Sequence, residues 1–244
     1  MLGVSQQVAI KNKILATLPT EQFVRLVPHL THVRLERDEV VYITGDQILY
    51  VYFPVSGLMS LLSTTATGST VEVAMVGNEG IVGLPVILKN RMIPYEVAVQ
   101  TETEAFRIRA EDLQHEFDKG EALHELILRY LNVLIAEISQ SALCHRFHTV
   151  EKALGRWLLM AQDRLNTESL NLTQESISHA LGVPRTGVTM AAGALQRAGL
   201  IRYSRGKIMI VDPQGLEKQS CECFRIVHKQ LNHFLNEGKD LSQS

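Results

Sequence analysis

Apolar and polar positions along this chain follow three different rhythms. Between His32 and Ile108 the apolar runs are short and β-like: Val40-Val41-Tyr42-Ile43, Leu49-Tyr50-Val51-Tyr52-Phe53, Leu58-Met59-Ser60-Leu61-Leu62, Val71 to Val76, and Val97-Ala98-Val99. Turn residues punctuate them at Gly45-Asp46, Pro54 with Gly57, Thr67-Gly68-Ser69 and Gly77-Asn78-Glu79-Gly80. Many short strands at this spacing predict an antiparallel sandwich or roll. From about Ala110 the rhythm turns helical. Glu121 to His145 carries Leu123, Ile127, Tyr130, Leu131, Leu134, Ile138 and Ser141 near a three-four stripe, which predicts one long helix. Val150 to Asp163 is a second amphipathic helix, with Leu154, Trp157, Leu158, Met160 and Ala161 on its apolar side. Before the strands, Gln6 to Leu18 reads as helical, and Pro19 with Thr20 restarts a short helix through Leu26. At the other end, Gln214 to Phe234 reads as a last helix without an evident role.

The third rhythm runs from Leu172 to Ile201. Thr173 is a good N-cap, because its hydroxyl can accept an orphan N–H of the first turn. Leu172 and Ile177 flank it as a hydrophobic staple. Ile177, Ala180 and Leu181 give one apolar face, and Gly182 stops that helix in a left-handed conformation. Pro184 suits the start of a second helix, predicted over about Arg185 to Ala198. Val188, Ala191, Ala192 and Leu195 form its inner face, leaving Arg185, Thr186, Thr189, Met190, Gln196 and Arg197 elsewhere. Two helices joined by a tight glycine turn predict a helix-turn-helix. After Gly199, Leu200 to Tyr203 and Lys207 to Val211 read as two strands around Ser204-Arg205-Gly206. A hairpin in that place is the wing of a winged helix-turn-helix, and Arg202, Arg205 and Lys207 can lie along a phosphate backbone.

Composition changes the picture in few respects. With 244 residues, 45% of them apolar, two ordinary domains can each bury a core. No long uncharged apolar run suggests a membrane span, and the N-terminus lacks the apolar segment of a signal peptide, so a cytoplasmic protein without membrane partners is expected. The net charge of −2 is an average. From His145 to Asp212 there are nine Lys/Arg against five Asp/Glu, whereas from Met1 to Asp112 there are nine against twelve. Basic charge concentrated at the helix-turn-helix end fits a nucleic-acid-binding end joined to a non-binding one.

An N-terminal roll, a long connecting helix and a C-terminal winged helix-turn-helix resemble the Crp/Fnr family of bacterial transcription regulators. The resemblance covers nearly the whole chain and is strongest over Leu172 to Val211 and in the glycine-punctuated roll, including Gly45-Asp46, Gly57 and Gly77. It implies an α+β chain: a sensor roll like a cyclic-nucleotide-binding domain over residues 1–116, a dimerisation helix over 117–146, and a winged helix-turn-helix with a C-terminal helix over 147–244. It also implies a homodimer that binds a two-fold-related site on double-stranded DNA and works with RNA polymerase. Arg185 matches the position where the family commonly carries a base-reading arginine. Thr186 and Met190 stand where a glutamate and a second arginine are common, so the resemblance does not carry the family's usual half-site over to this chain. Thr173, Gln174, Thr186, Thr189, Met190, Gln196, Arg202, Arg205 and Lys207 complete the expected DNA face, and Ile127, Leu131, Leu134 and Ile138 the expected dimer seam.

Members that bind cyclic AMP hold it with a Gly-Glu-Leu turn and a later Arg-Ser/Thr-Ala segment, the arginine neutralising the phosphate. The corresponding stretch here spans Gly80, Gly83, Leu84, Arg91, Ile93 and Pro94. In that register Gly83 replaces the acid, Ile93 the arginine and Pro94 the small hydroxyl residue, with Arg91 two residues away. The expectation is therefore no cyclic AMP in the family's usual mode: either an unknown, less charged effector or none. No cofactor and no metal are expected. Cys221-Glu222-Cys223 is too closely spaced for the usual zinc hook and reads as ordinary helix residues. Cys144, His145 and His148 read as residues of an interdomain hinge, with a metal or redox patch as the other reading. No cysteine precedes Cys144, so the N-terminal cysteine cluster of Fnr-type members is lacking. Nothing resembles a catalytic nucleophile with its base, or a P-loop. A ligand-sensing or interaction module without DNA binding is the alternative. A cupin-type metal enzyme ranks last, because Val33 to Gln114 holds no histidine.

Overall fold

A computed structural model describes residues 4–167, 169–204 and 206–241. Three short helices lead in: α1 (Val4–Ala9), α2 (Lys13–Thr17) and α3 (Thr20–Leu26). The expected single helix up to Leu18 is broken at Asn12. Its side chain caps α2 by accepting from the Ile14 and Leu15 amides, and donates at 2.9 Å to the carbonyls of Pro54 and Gly80. One buried amide thus anchors the N-terminal helices to the roll.

The roll holds seven strands: β1 (Thr31–Leu35), β2 (Val40–Tyr42), β3 (Tyr50–Pro54), β4 (Leu58–Thr64), β5 (Thr70–Val76), β6 (Glu96–Thr101) and β7 (Thr103–Arg109). They form two antiparallel sheets, ordered β1-β7-β3 and β2-β6-β4-β5. The apolar-run reading missed β1 and β7. β1 exposes three of its five side chains and so carries no run, while β7 follows β6 after the single residue Glu102. Phe53, Leu61, Val97, Val99 and Ile108 fill the space between the sheets.

Two helices follow, α4 (Ala110–Phe117) and α5 (Ala122–Phe147). α5 is long and apolar enough to cross a bilayer by length and composition alone. Here, however, Leu123, Leu126, Ile127, Tyr130, Val133 and Leu134 are buried in the roll's own core. Gly80 lets Tyr130 lie against the roll: a Cβ at Gly80 would stand 2.0 Å from the Tyr130 hydroxyl.

The C-terminal lobe runs α6 (Val150–Leu165), β8 (Ser169–Asn171), α7 (Gln174–Leu181), α8 (Arg185–Arg197), β9 (Ile201–Ser204), β10 (Lys207–Ile210), α9 (Pro213–Gln219) and α10 (Cys223–Leu241). The wing is three-stranded, β8-β10-β9, with β8 the strand that sequence patterning missed. The expected last helix is two, broken at Ser220-Cys221-Glu222. α10 then returns to the roll, where Leu231 and Phe234 join its core and the Phe234 ring lies 5.8 Å from that of Tyr130. This gives the C-terminal helix a role: it braces α5.

The two lobes are packed together. Leu58 and Met75 of the roll are buried in the C-terminal core, and a Cβ at Gly182 would lie 3.2 Å from Val71. Buried polar contacts cross the same boundary. Trp157 Nε1 donates to Glu72 Oε1 at 2.7 Å, and Ser60 bonds the other carboxylate oxygen. Arg164 donates to Glu79 at 2.8 Å and to Glu137 at 2.6 Å. Burial works against the Arg164 charge, but the pull of Glu137 and Glu79 more than offsets it.

Candidate nucleic-acid interface

The helix-turn-helix is built by local chemistry. Thr173 Oγ1 accepts from the Ser176 amide at 3.0 Å, the expected cap. Gly182 ends α7 at φ 64°, in the left-handed region where a side chain is strained. Ser178 then holds the turn by donating to the Val183 carbonyl at 2.6 Å. Pro184 caps α8 in extended geometry, and Val188, Ala191, Ala192 and Leu195 are all buried beneath it. The inner face expected from spacing is therefore the observed one.

The opposite face is open. Arg185, Thr186, Thr189 and Met190 are exposed, Met190 by 72%. Arg185 forms an ion pair with Glu175 of α7 at 2.6 Å, both side chains more than half exposed. Such a pair is weak, so the guanidinium can exchange it for a base edge or phosphate, and Glu175 preorients it meanwhile. Thr189 donates to the Arg185 carbonyl at 3.0 Å. Gln196 does more than flank the face: its Oε1 accepts from the Tyr203 amide at 2.7 Å, tying α8 to the wing. Arg202, Ser204 and Lys207 are exposed on the wing around a shallow hollow completed by Met209. At the start of α7, Thr173 is exposed and Gln174 half-buried. Arg205 lies outside the described residues.

The expected effector residues do not gather into one pocket. Leu84 and Ile93 are buried in the roll core. Gly83 starts a short 3-10 turn, Gly80 sits under Tyr130, and Pro94 is exposed. Arg91 points outward to Glu111 at 3.6 Å, along a cleft of about 400 Å³ lined also by Tyr50, Lys89, Arg109 and Asp118. Among the described residues, the only buried basic side chains are Arg156 and Arg164 of α6, outside the roll.

The expected dimer seam needs correction. Ile127 and Leu134 face the roll and are buried within their own chain. Leu131 and Ile138 are half-buried, and the outward face of α5 adds Leu128, Ile135 and Ala142, with Ile135 54% exposed. The sequence pattern alone blended two adjacent stripes, because both carry apolar residues at spacings of three and four.

Sequence reasoning also missed the interlobe carboxylates and the meeting of the cysteines. Glu137 stood at a stripe position between Leu134 and Ser141, the one available sign of a buried acid. Cys144, His148, Cys221 and Cys223 offer ligand atoms all within 4.8 Å of one another, whereas His145 is exposed. Cys221 lies in the break between α9 and α10 and Cys223 opens α10, so neither is an ordinary mid-helix residue.

A β-roll joined through a long helix to a winged helix-turn-helix with an exposed, partly basic recognition face defines a DNA-binding transcription regulator. Residues 32–119 match the family described as the cyclic nucleotide-binding domain, and residues 152–219 match the Crp-like helix-turn-helix domain. The chain is 24% identical over 198 residues to the global nitrogen regulator of Synechococcus elongatus, across 76% of this chain and 88% of that one. The same identity holds over 194 residues with the global nitrogen regulator of Nostoc sp., across 75% and 86%. In fold it is similar to FixK2 from Bradyrhizobium japonicum, with a TM-score of 0.70 at 16% identity over 79% of this chain and 98% of that one. It is also similar to the c-di-GMP responsive global regulator CLP of Xanthomonas campestris, with a TM-score of 0.65 at 18% identity over 78% and 98%. The chain belongs to the Crp/Fnr family.

Proposed function

We propose that the protein is a homodimer that reads an inverted-repeat operator in the cytoplasm and acts on RNA polymerase, without cyclic AMP as its signal. The observation that carries this reading is the outward face of α5. Leu128, Leu131, Ile135, Ile138 and Ala142 recur at spacings of three and four, a two-stranded coiled-coil seam; Leu128, Ile135 and Ala142 are exposed along it, and Leu131 and Ile138 are half-buried at the edge of the roll core. Pairing along that face puts two recognition helices about a two-fold axis, to enter successive major grooves about 34 Å apart. Arg185 then contacts a guanine through O6 and N7, with Thr186, Thr189 and Met190 beside it and Thr173, Gln174, Arg202, Arg205 and Lys207 on phosphates.

The absence of cyclic AMP control is supported by the roll interior. Ile93 is 1% exposed, so an apolar side chain stands where the phosphate-neutralising arginine is expected, and Gly83 offers no carboxylate for the ribose. No buried cation among the described residues of the roll could neutralise a phosphate. An effector, if used, is less charged.

Sedimentation, selection from a random DNA library and calorimetry test the reading together. The expected outcome is a dimer, an inverted-repeat consensus, and no binding heat with cyclic AMP at micromolar protein. A monomer that selects no sequence would favour a sensing module without DNA binding. A micromolar cyclic AMP isotherm abolished by Arg91→Ala would restore the cyclic-nucleotide mechanism.

A further inference from the structure

All three cysteines of the chain meet at one place, although they come from segments far apart in sequence. Cys144 is in the last turn of α5, His148 follows that helix immediately, Cys221 lies in the α9–α10 break and Cys223 begins α10. Cys144 Sγ and Cys221 Sγ are 3.6 Å apart, and Cys223 Sγ is 3.7 Å from His148 Nδ1. Metal–sulfur bonds of about 2.3 Å and metal–nitrogen bonds of about 2.0 Å in a tetrahedron put ligand atoms roughly 3.4–3.8 Å apart. The two closest pairs already have that separation, and the widest, at most 4.8 Å, needs only side-chain adjustment. A sulfur pair at 3.6 Å is far outside bonding distance for a disulfide. An iron–sulfur cluster, with several irons and bridging sulfides between its ligands, needs them farther apart than this.

The surroundings are those of a metal site. The three sulfurs are buried, so four protein ligands close the centre and leave no position for substrate. His148 directs Nδ1 at the cysteines while its Nε2 lies 3.4 Å from Glu222 Oε1. A carboxylate behind a histidine fixes the tautomer that leaves the other ring nitrogen able to bind metal. Charge points the same way. Three thiolates, one neutral imidazole and one dication sum to a single negative charge. Arg156 is buried beside them, donating to the Ser141 hydroxyl at 2.7 Å, with its Nε unpartnered and its charge acting on the Cys144 sulfur. No carboxylate pairs directly with this buried guanidinium, and an anionic metal–thiolate centre beside it would help offset the cost of burying its charge.

We propose that Cys144, His148, Cys221 and Cys223 form a closed Cys3His site for one Zn2+, which fastens the C-terminal helix pair to the hinge between α5 and the DNA-binding lobe. Thiolate with imidazole in tetrahedral array suits Zn2+ rather than a hard cation. The ion joins the end of α5 to the start of α10, the helix that runs back to brace α5 and the roll, so its loss loosens the C-terminal lobe from the roll.

The test uses the full chain expressed with added zinc and purified under reducing conditions. Elemental analysis is expected to give one Zn2+ per chain. Replacement by Co2+ should produce thiolate-to-metal charge-transfer absorption and the intense visible bands of tetrahedral cobalt. Cys223→Ser should abolish stoichiometric binding. Glu222→Ala, at an exposed residue that leaves the fold intact, should weaken Zn2+ affinity by about 10–100-fold in competition with a chelator. A metal-free wild type that yields no tetrahedral cobalt spectrum overturns the proposal. So does stoichiometric iron with sulfide, or a Cys144–Cys221 disulfide that forms in place of metal binding.

Discussion

Glu72 offers a direct energetic test of how the lobes are joined. The carboxyl is buried between the roll and α6, and burial pushes its pKa up from 4.5 to about 7, against the opposing hydrogen bonds from Ser60 and Trp157. Glu137 adds to the rise and Arg156 reduces it. Because the folded-state value is raised, the folded protein holds the proton more tightly than the unfolded chain. The stability this contributes is complete below about pH 4.5 and is lost as pH rises through about 7. A shift of this size corresponds to roughly 3 kcal/mol between the two limits. Glu72→Gln removes the titration yet keeps the shape: the amide oxygen still accepts from Trp157 Nε1, and the amide nitrogen can donate to Ser60. The variant is expected to match wild type near pH 4 and to exceed it by up to about 3 kcal/mol at pH 8. Trp157 is the only tryptophan, so its fluorescence in urea titrations reports unfolding from this very contact. A stability difference that stays constant across that range would refute the reasoning, because Glu72 would then be no better a base folded than unfolded.

Ile135→Glu should split the proposed dimer in sedimentation while leaving each chain folded, since Ile135 is 54% exposed. Leu134→Ala should instead cost about 2–5 kcal/mol of stability, because that side chain fills the roll core; the reverse pattern would place the seam on the other stripe. Arg185→Ala should lose about 1–3 kcal/mol at the specific site and relax discrimination at one base pair, and unchanged specific and random-DNA affinities in anisotropy titrations would remove Arg185 from the reading face. Gly80→Ala should destabilise by about 1–3 kcal/mol from overpacking, because its methyl group would displace the Tyr130 ring; a wild-type melting temperature would mean that α5 can shift freely there.

Much of this fold was written in local pattern. Thr173, Gly182 and Pro184 specify where α7 and α8 start and stop because capping, left-handed backbone and the missing proline N–H act within a few residues. Val188, Ala191, Ala192 and Leu195 identify the inner face of α8, so its outward-facing residues were legible by elimination. The punctuated apolar runs gave the roll. Tertiary structure decided what depends on which distant surfaces meet. α5 is apolar on adjacent stripes, and only its packing shows that Ile127 and Leu134 face inward while Leu128 and Ile135 face out. Glu72 and Glu79 look alike in sequence to exposed acids, since burial and partners such as Trp157 and Arg164 are set by a helix scores of residues away. Cys144 and Cys221 are 77 positions apart. Their spacing carries no metal signature, because the chain closes that site only after α10 has turned back along α5.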